Sequence, residues 1–150
     1  MKKTNKGFSL VELIIVIAIM AILAGALAPA LIKYINKSRL STDIQTGQTI
    51  ATAITTALSD ETAYDDCTAV SSAKAVTTMA GNDFKDAVNE TVNVDNVKVK
   101  AKKDMKGSAL DSGFYYTVEP TANTCSVFMK TTGGSLLEVY PNVAEDLTKK

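Results

Sequence analysis

Glu12 is the side chain best placed to do chemistry, because it stands where charge is costly. It lies near the start of an otherwise uncharged run from Gly7 to Ile32, GFSLVELIIVIAIMAILAGALAPALI. A charged residue at the centre of a membrane-length helix costs about 2.5–3.5 kcal/mol on insertion scales. A segment that served only as an anchor has no use for such a residue, so Glu12 is expected to have a partner. Elsewhere the chemical inventory is thin. The chain has no histidine and no tryptophan, which removes the commonest general base and the commonest metal ligand. Cys67 and Cys125 stand far apart, and no C-x-x-C spacing exists. Zinc and thioredoxin-like chemistry are therefore disfavoured. There is no phosphate-binding glycine loop, and Gly134-Ser135 lacks catalytic partners. The chain reads as a non-enzyme, with no cofactor and no metal.

The apolar run must be positioned by something, and its length limits the choices. A secretory signal peptide has a charged start, 7–15 apolar residues and a small-residue cleavage site. The charged start is present as Lys2, Lys3 and Lys6, and a cut after Ala26 or Ala28 is conceivable. However, Leu13 to Ile32 alone is uncharged throughout and matches the ~20 residues that span a bilayer. A plain uncleaved anchor, with Glu12 snorkelling to the headgroups, is the simplest alternative. Lys33, Lys37 and Arg39 follow the run, so basic residues flank both ends and leave its orientation open.

The string KGFSLVELIIVIAIMAILAGALAPALIKY resembles the N-terminus of a type IV prepilin. A short basic leader ends in Gly7, Phe8 follows, and Glu12 is the fifth residue counted from Phe8. An apolar helix interrupted by Pro29 then runs to Tyr34. The resemblance implies that residues 1–7 are a leader and that a prepilin peptidase cuts between Gly7 and Phe8. It also implies methylation of the new Phe8 amine, and assembly by a membrane platform with a cytoplasmic ATPase. The subunit would pass from a single-pass membrane form into an extracellular filament that is a homopolymer of this chain. After the cut, the Phe8 amine is a cation at the helix start, where the dipole also favours a carboxylate. Glu12 entering a dry filament core can be neutralised by the Phe8 amine of a neighbouring copy.

The rest of the chain supports that layout. Leu40, Ile44, Gly47, Ile50, Ala51, Ile54, Ala57 and Leu58 recur at spacings of three and four, the mark of an amphipathic helix. Ser41, Thr42, Asp43, Gln45, Gln48 and Thr52 are read as its polar face. One helix is expected over 8–58, with 8–32 as the transmembrane or filament-core part. Pro29 lacks the N–H that would bond to the carbonyl of Gly25, itself a poor helix former. The plain reading is a static kink; the resemblance implies a stretch around Gly25 and Pro29 that melts in the filament.

Residues 59–95 read as a connecting region holding a short helix, at Ser72–Met79 or Phe84–Thr91. Asp60, Glu61, Asp65 and Asp66 form an acidic cluster without the D-x-D-x-D-G pattern of a calcium loop. From 96 to 150 the period becomes two. Strands are expected at Val97–Ala101, Phe114–Val118, Cys125–Met129 and Leu136–Tyr140, with turns at Lys106-Gly107, Glu119-Pro120 and Gly133-Gly134. The fold class is therefore α+β, a long N-terminal helix packed on a four-stranded antiparallel sheet. An extracytoplasmic head permits a Cys67–Cys125 disulfide, and two separate buried thiols are the alternative. The head is net acidic from Asp60 onward, which argues against a nucleic-acid partner.

The expected function is that of a structural subunit of a type IV pilus, used in adhesion, aggregation or motility. A pseudopilin of a secretion system shares the N-terminal pattern, and a membrane-anchored binding protein is the alternative of a different class. A further expectation comes from charge layout. Lys33, Lys37 and Arg39 cannot touch Asp60, Glu61, Asp65 and Asp66 within one copy, because the intervening helix is too long. In a staggered filament these clusters on neighbouring copies could set the axial register; the plain alternative is headgroup-facing and solvated charges.

Overall fold

The computed structural model describes residues 8–149, so the expected leader and its Gly7 lie outside the described residues. Helix α1 runs over Leu10–Ala57 and continues unbroken through Pro29. The chain divides into two compact units at Ile35/Asn36. In the first, every described residue is solvent-exposed. Its helix is held by local hydrogen bonds alone, since it has no packed face.

The second unit contains the remainder of α1 and a sheet. Short helix α2 (Glu61–Asp66) leads to strand β1 (Val70–Ala75), a single 3-10 turn (Val76–Thr78) and helix α3 (Asn82–Asn89). Strands β2 (Leu110–Glu119), β3 (Thr124–Thr131) and β4 (Leu136–Tyr140) follow, then α4 (Glu145–Thr148). The strands form one antiparallel sheet in the order β1-β2-β3-β4. Alternation sends Phe114, Tyr116 and Val118 of β2, Cys125, Val127 and Met129 of β3, and Leu137 and Val139 of β4 to the buried face. The stripe of α1 lies against that face. A Cβ built on Gly47 would stand only 2.6 Å from Cγ1 of Val139, so the glycine sets how closely helix and sheet approach.

The helix-on-sheet class is as expected, but the sheet's membership differs. The first expected strand, Val97–Ala101, is not in the sheet, and β1 comes from the expected connecting region. Val99 and Ala101 are buried, which explains the period of two. The backbone donors of the following stretch, however, turn to α1 instead of to a neighbouring strand. Lys100 and Ala101 donate to Asp43, and Lys102 and Lys103 to Asn36. Residues Ser72–Met79, one place given for a helix, form most of β1 and the 3-10 turn; the other, Phe84–Thr91, overlaps α3.

The acidic cluster is also reassigned in part. Asp60 is the N-cap of α2, accepting from the N–H groups of Thr62 and Ala63. Its bond from the Thr62 hydroxyl leads the effects that hold its carboxyl below the usual range. Asp66 accepts from the N–H groups of Asp83 and Phe84 at the start of α3. Gly81, at φ +90°, admits that carboxylate, since a Cβ there would meet Asp66 Oδ2 at 2.8 Å. Glu61 and Asp65 stay exposed.

Cys67 and Cys125 are free thiols, not the disulfide considered from sequence. Cys125 lies on β3, two strands from β1, and directs its thiol to the carbonyl of Ala51 at 3.6 Å. Cys67 is the C-cap of α2 and lies before β1, outside the sheet. Burial pushes both thiols up to about 11, with Asp66 adding to the effect at Cys67. Both are therefore protonated and unreactive at neutral pH.

Candidate functional site: the N-terminal helix and its first turn

Ser9, Leu10, Val11 and Glu12 form the start of α1, and their side chains organise it. The Glu12 carboxylate accepts the Ser9 N–H at 2.9 Å. The Ser9 hydroxyl accepts the Val11 N–H at a longer 3.4 Å. The first backbone bond of the helix runs from Leu13 N–H to the Ser9 carbonyl at 3.2 Å. A Ser followed three residues later by a Glu is the signature of a capping box, in which two side chains satisfy orphan donors of the first turn. Glu12 thus has a partner within its own chain. The sequence carried that signal in S-x-x-E, and the reading of Glu12 as a lone charge overlooked it.

The consequence is chemical. A carboxylate that closes the first turn is fixed at the helix start, where the dipole favours its charge. Phe8 precedes it and is 87 % exposed. An amine at residue 8 would be covalently tied to the same turn, so cation and anion would sit at one end of one helix. Behind this end the helix is apolar on all sides. It is long and apolar enough to cross a membrane, and none of that apolar window is buried. Such a surface requires lipid or other helices around it.

Gly25 and Pro29 lie on this helix, and open space surrounds Gly25. The defect expected there is accommodated without a break. Lys33, Lys37 and Arg39 are exposed, and among the described residues none of them is ion-paired. At the far end of α1, Asp60 joins Asp83, Asp86 and Glu90 around a cleft of about 330 Å³. The two charge clusters are not brought together within the chain, and no group of three or more His, Cys, Asp or Glu among the described residues has a metal-binding arrangement.

Two residues that matter for the head were missed from sequence. Asp43, assigned to the polar face, is only 1 % exposed. It accepts from Lys100 N–H at 2.9 and 3.0 Å and from Ala101 N–H at 2.6 Å. Burial raises its pKa against the opposing pull of those bonds and of Lys100 and Arg39. Asn36 accepts from Lys102 and Lys103 N–H and donates to the Lys103 carbonyl at 2.9 Å. The spacing held the signal, since Asn36, Leu40, Asp43 and Gly47 follow one another at four, three and four.

Comparison with known proteins bears on the same end of the chain. The model of the prokaryotic N-terminal methylation motif matches residues 2–28. Two type IV major fimbrial proteins FimA of Dichelobacter nodosus are each 46% identical to this chain over 68 residues, 45% of its length. That match spans 42% of one relative and 43% of the other, less than half of each. No solved structure matches. The methylation motif, the likeness to major fimbrial proteins, the long apolar helix and the four-stranded antiparallel sheet together make the chain similar to type IV pilins.

Proposed function

We propose that this chain is the structural subunit of a type IV pilus and polymerises through the helix that begins at Leu10. One observation carries the reading: a membrane-length apolar helix with no packed face begins at a carboxylate fixed by its own first turn. The subunit waits in the membrane as a single-pass protein. A prepilin peptidase removes residues 1–7 between Gly7 and Phe8 and methylates the Phe8 amine. A membrane platform driven by a cytoplasmic ATPase then moves the helix from lipid into the filament. Glu12 turns that transfer into recognition. Its charge is penalised in lipid and compensated by the Phe8 amine of a neighbouring copy, so an unpaired carboxylate favours docking.

The fimbrial relatives favour a pilus subunit over a pseudopilin or an anchored binding protein. The work of the protein is assembly, not catalysis. In the filament, Gly25 and Pro29 mark the stretch of helix that melts, because the missing Pro29 N–H and the flexible Gly25 weaken the same turn. Intact-mass measurement of surface filaments tests the proposal. The mass should correspond to a chain starting at Phe8 with one added methyl group. A mature chain starting at Met1, or after Ala26, refutes it.

A further inference from the structure

The lysines of the 98–103 stretch are held in place by α1, and that arrangement has a use. Lys98, Lys100, Lys102 and Lys103 are all exposed. Their backbone is not free to wander. Asp43 binds the N–H groups of Lys100 and Ala101, while Asn36 grips Lys103 from both sides, accepting its N–H and donating to its carbonyl. Val99 N–H bonds to the Ser112 carbonyl, and Leu110 N–H to that of Lys102. The alternating partners Val99 and Ala101 are buried, so the intervening lysines must point outward.

On α1, Asn36 and Asp43 are seven residues apart and fall within about 20° of one line along the helix. Arg39 and Lys37 lie on opposite sides of that line, about 60° and 100° from Asn36. The docked stretch is therefore flanked by one basic side chain on each side. Lys37, Arg39, Lys98, Lys100, Lys102 and Lys103 make a collar of six cations, none of them in an ion pair among the described residues. The acidic residues close by are engaged or buried. Asp43 is occupied as described, Asp111 accepts the Ser112 N–H and the Tyr115 hydroxyl, Asp104 is buried and accepts Ser108 N–H, and Asp95 pairs with Lys85.

The position of the collar in the chain selects its partner. It is anchored on Asn36, the residue that follows the end of the apolar unit at Ile35. A basic cluster directly after a membrane-length apolar helix faces the headgroup layer, and anionic headgroups attract such clusters. We infer that this collar binds anionic phospholipid headgroups and seats the head on the bilayer before assembly. This rests on the reading of the first unit as a membrane span. Asn36 and Asp43 act as positioning residues, holding the lysines toward the surface.

The test uses the full chain in nanodiscs, one copy per disc, of either phosphatidylcholine or phosphatidylcholine with phosphatidylglycerol. Lysines are acetylated with a water-soluble reagent and read by mass spectrometry. Anionic lipid should lower labelling of Lys100, Lys102 and Lys103 about twofold or more, leave Lys74 and Lys85 unchanged, and lose its effect at high salt. Asn36→Ala should weaken the protection while the chain remains inserted. Equal labelling in both lipids overturns the inference. So does protection that appears in phosphatidylcholine only when two copies share a disc, which would assign the collar to a second copy. Failure of the chain to insert at all would instead refute the membrane-span reading.

Discussion

Replacing Asp43 tests how the head is held together at its least expected point. The carboxylate is buried and receives two backbone donors, from Lys100 and Ala101. Leaving a buried donor unpaired costs about 1–3 kcal/mol. Ala101 is buried and should incur that cost in full; Lys100 is exposed and water can satisfy part of its loss. Removing a desolvated charge returns some stability, because burial is the leading effect on its pKa. Asp43→Ala should therefore destabilise the head by about 2–4 kcal/mol. Asp43→Asn, which keeps one acceptor oxygen but points an NH₂ at the donors, should lose about 1–2 kcal/mol.

The pH dependence has a defined sign. Asp43 has a raised pKa in the folded state, so its titration contributes stability that is fully present below the unfolded value of about 3.9 and is lost as pH rises through the folded value. The gap between the native protein and Asp43→Asn should then widen as the solution is acidified from neutral toward about pH 4. Guanidinium titration of the full chain in detergent, followed by the fluorescence of buried Tyr116, measures both effects. A loss below about 0.5 kcal/mol for Asp43→Ala, or a gap that narrows on acidification, would refute the reasoning.

Other variants address the remaining parts. Glu12→Gln keeps an acceptor for the Ser9 N–H but removes the charge; it should stay in the membrane yet fail to enter filaments, and a normal filament yield would contradict pairing with Phe8. Glu12→Asp, shortened by one methylene, should give an intermediate yield. Gly47→Ala places a methyl 2.6 Å from Val139 Cγ1 and should cost about 1–3 kcal/mol by denaturant titration, with Val139→Ala in the same chain restoring part of the loss. Gly25→Ala with Pro29→Ala repairs the weak turn, so filaments should show greater helix content by circular dichroism and extend less under force. For the proposed axial register, Lys37→Glu with Arg39→Glu should lower filament yield, and reversal of Glu61 and Asp65 to lysine should restore part of it. Asp60 and Asp66 are poor choices for that rescue because they cap α2 and bind the start of α3. No loss, or no rescue, would leave Lys37 and Arg39 as headgroup-facing charges and Glu61 and Asp65 as solvated ones.

What sequence made legible follows the strength of each physical signal. The apolar run and the G-F-S-L-V-E-L string of the first unit depend on local residues alone, and they led directly to the long N-terminal helix. Strands β2, β3 and β4 were visible because each buries one face and so alternates. Strand β1 was not visible. In V-S-S-A-K-A only Val70 is buried, so the strand carries no alternating apolar face to read. Val97–Ala101 misled for the opposite reason, since burial of alternate side chains produces the pattern of a strand whether or not a ladder forms. Periodicity reports which side chains face inward; it says nothing about where the N–H groups go.

That distinction accounts for Asn36 and Asp43 as well. Their spacing with Leu40 and Gly47 puts both on the buried line of α1, yet polarity assigned Asp43 to solvent. A polar residue in phase with an apolar stripe is better read as a demand for partners, because its burial without them is costly. Here the demand is met by the N–H groups of Lys100 to Lys103, which turn to α1. The same reasoning applies at Glu12, where a charge in an apolar run first looked unpaired and proved to close the capping box of its own helix. At both positions the carboxylate meets backbone N–H groups within the chain, and under the proposed function the charge left at Glu12 after that bond is what a second copy would recognise.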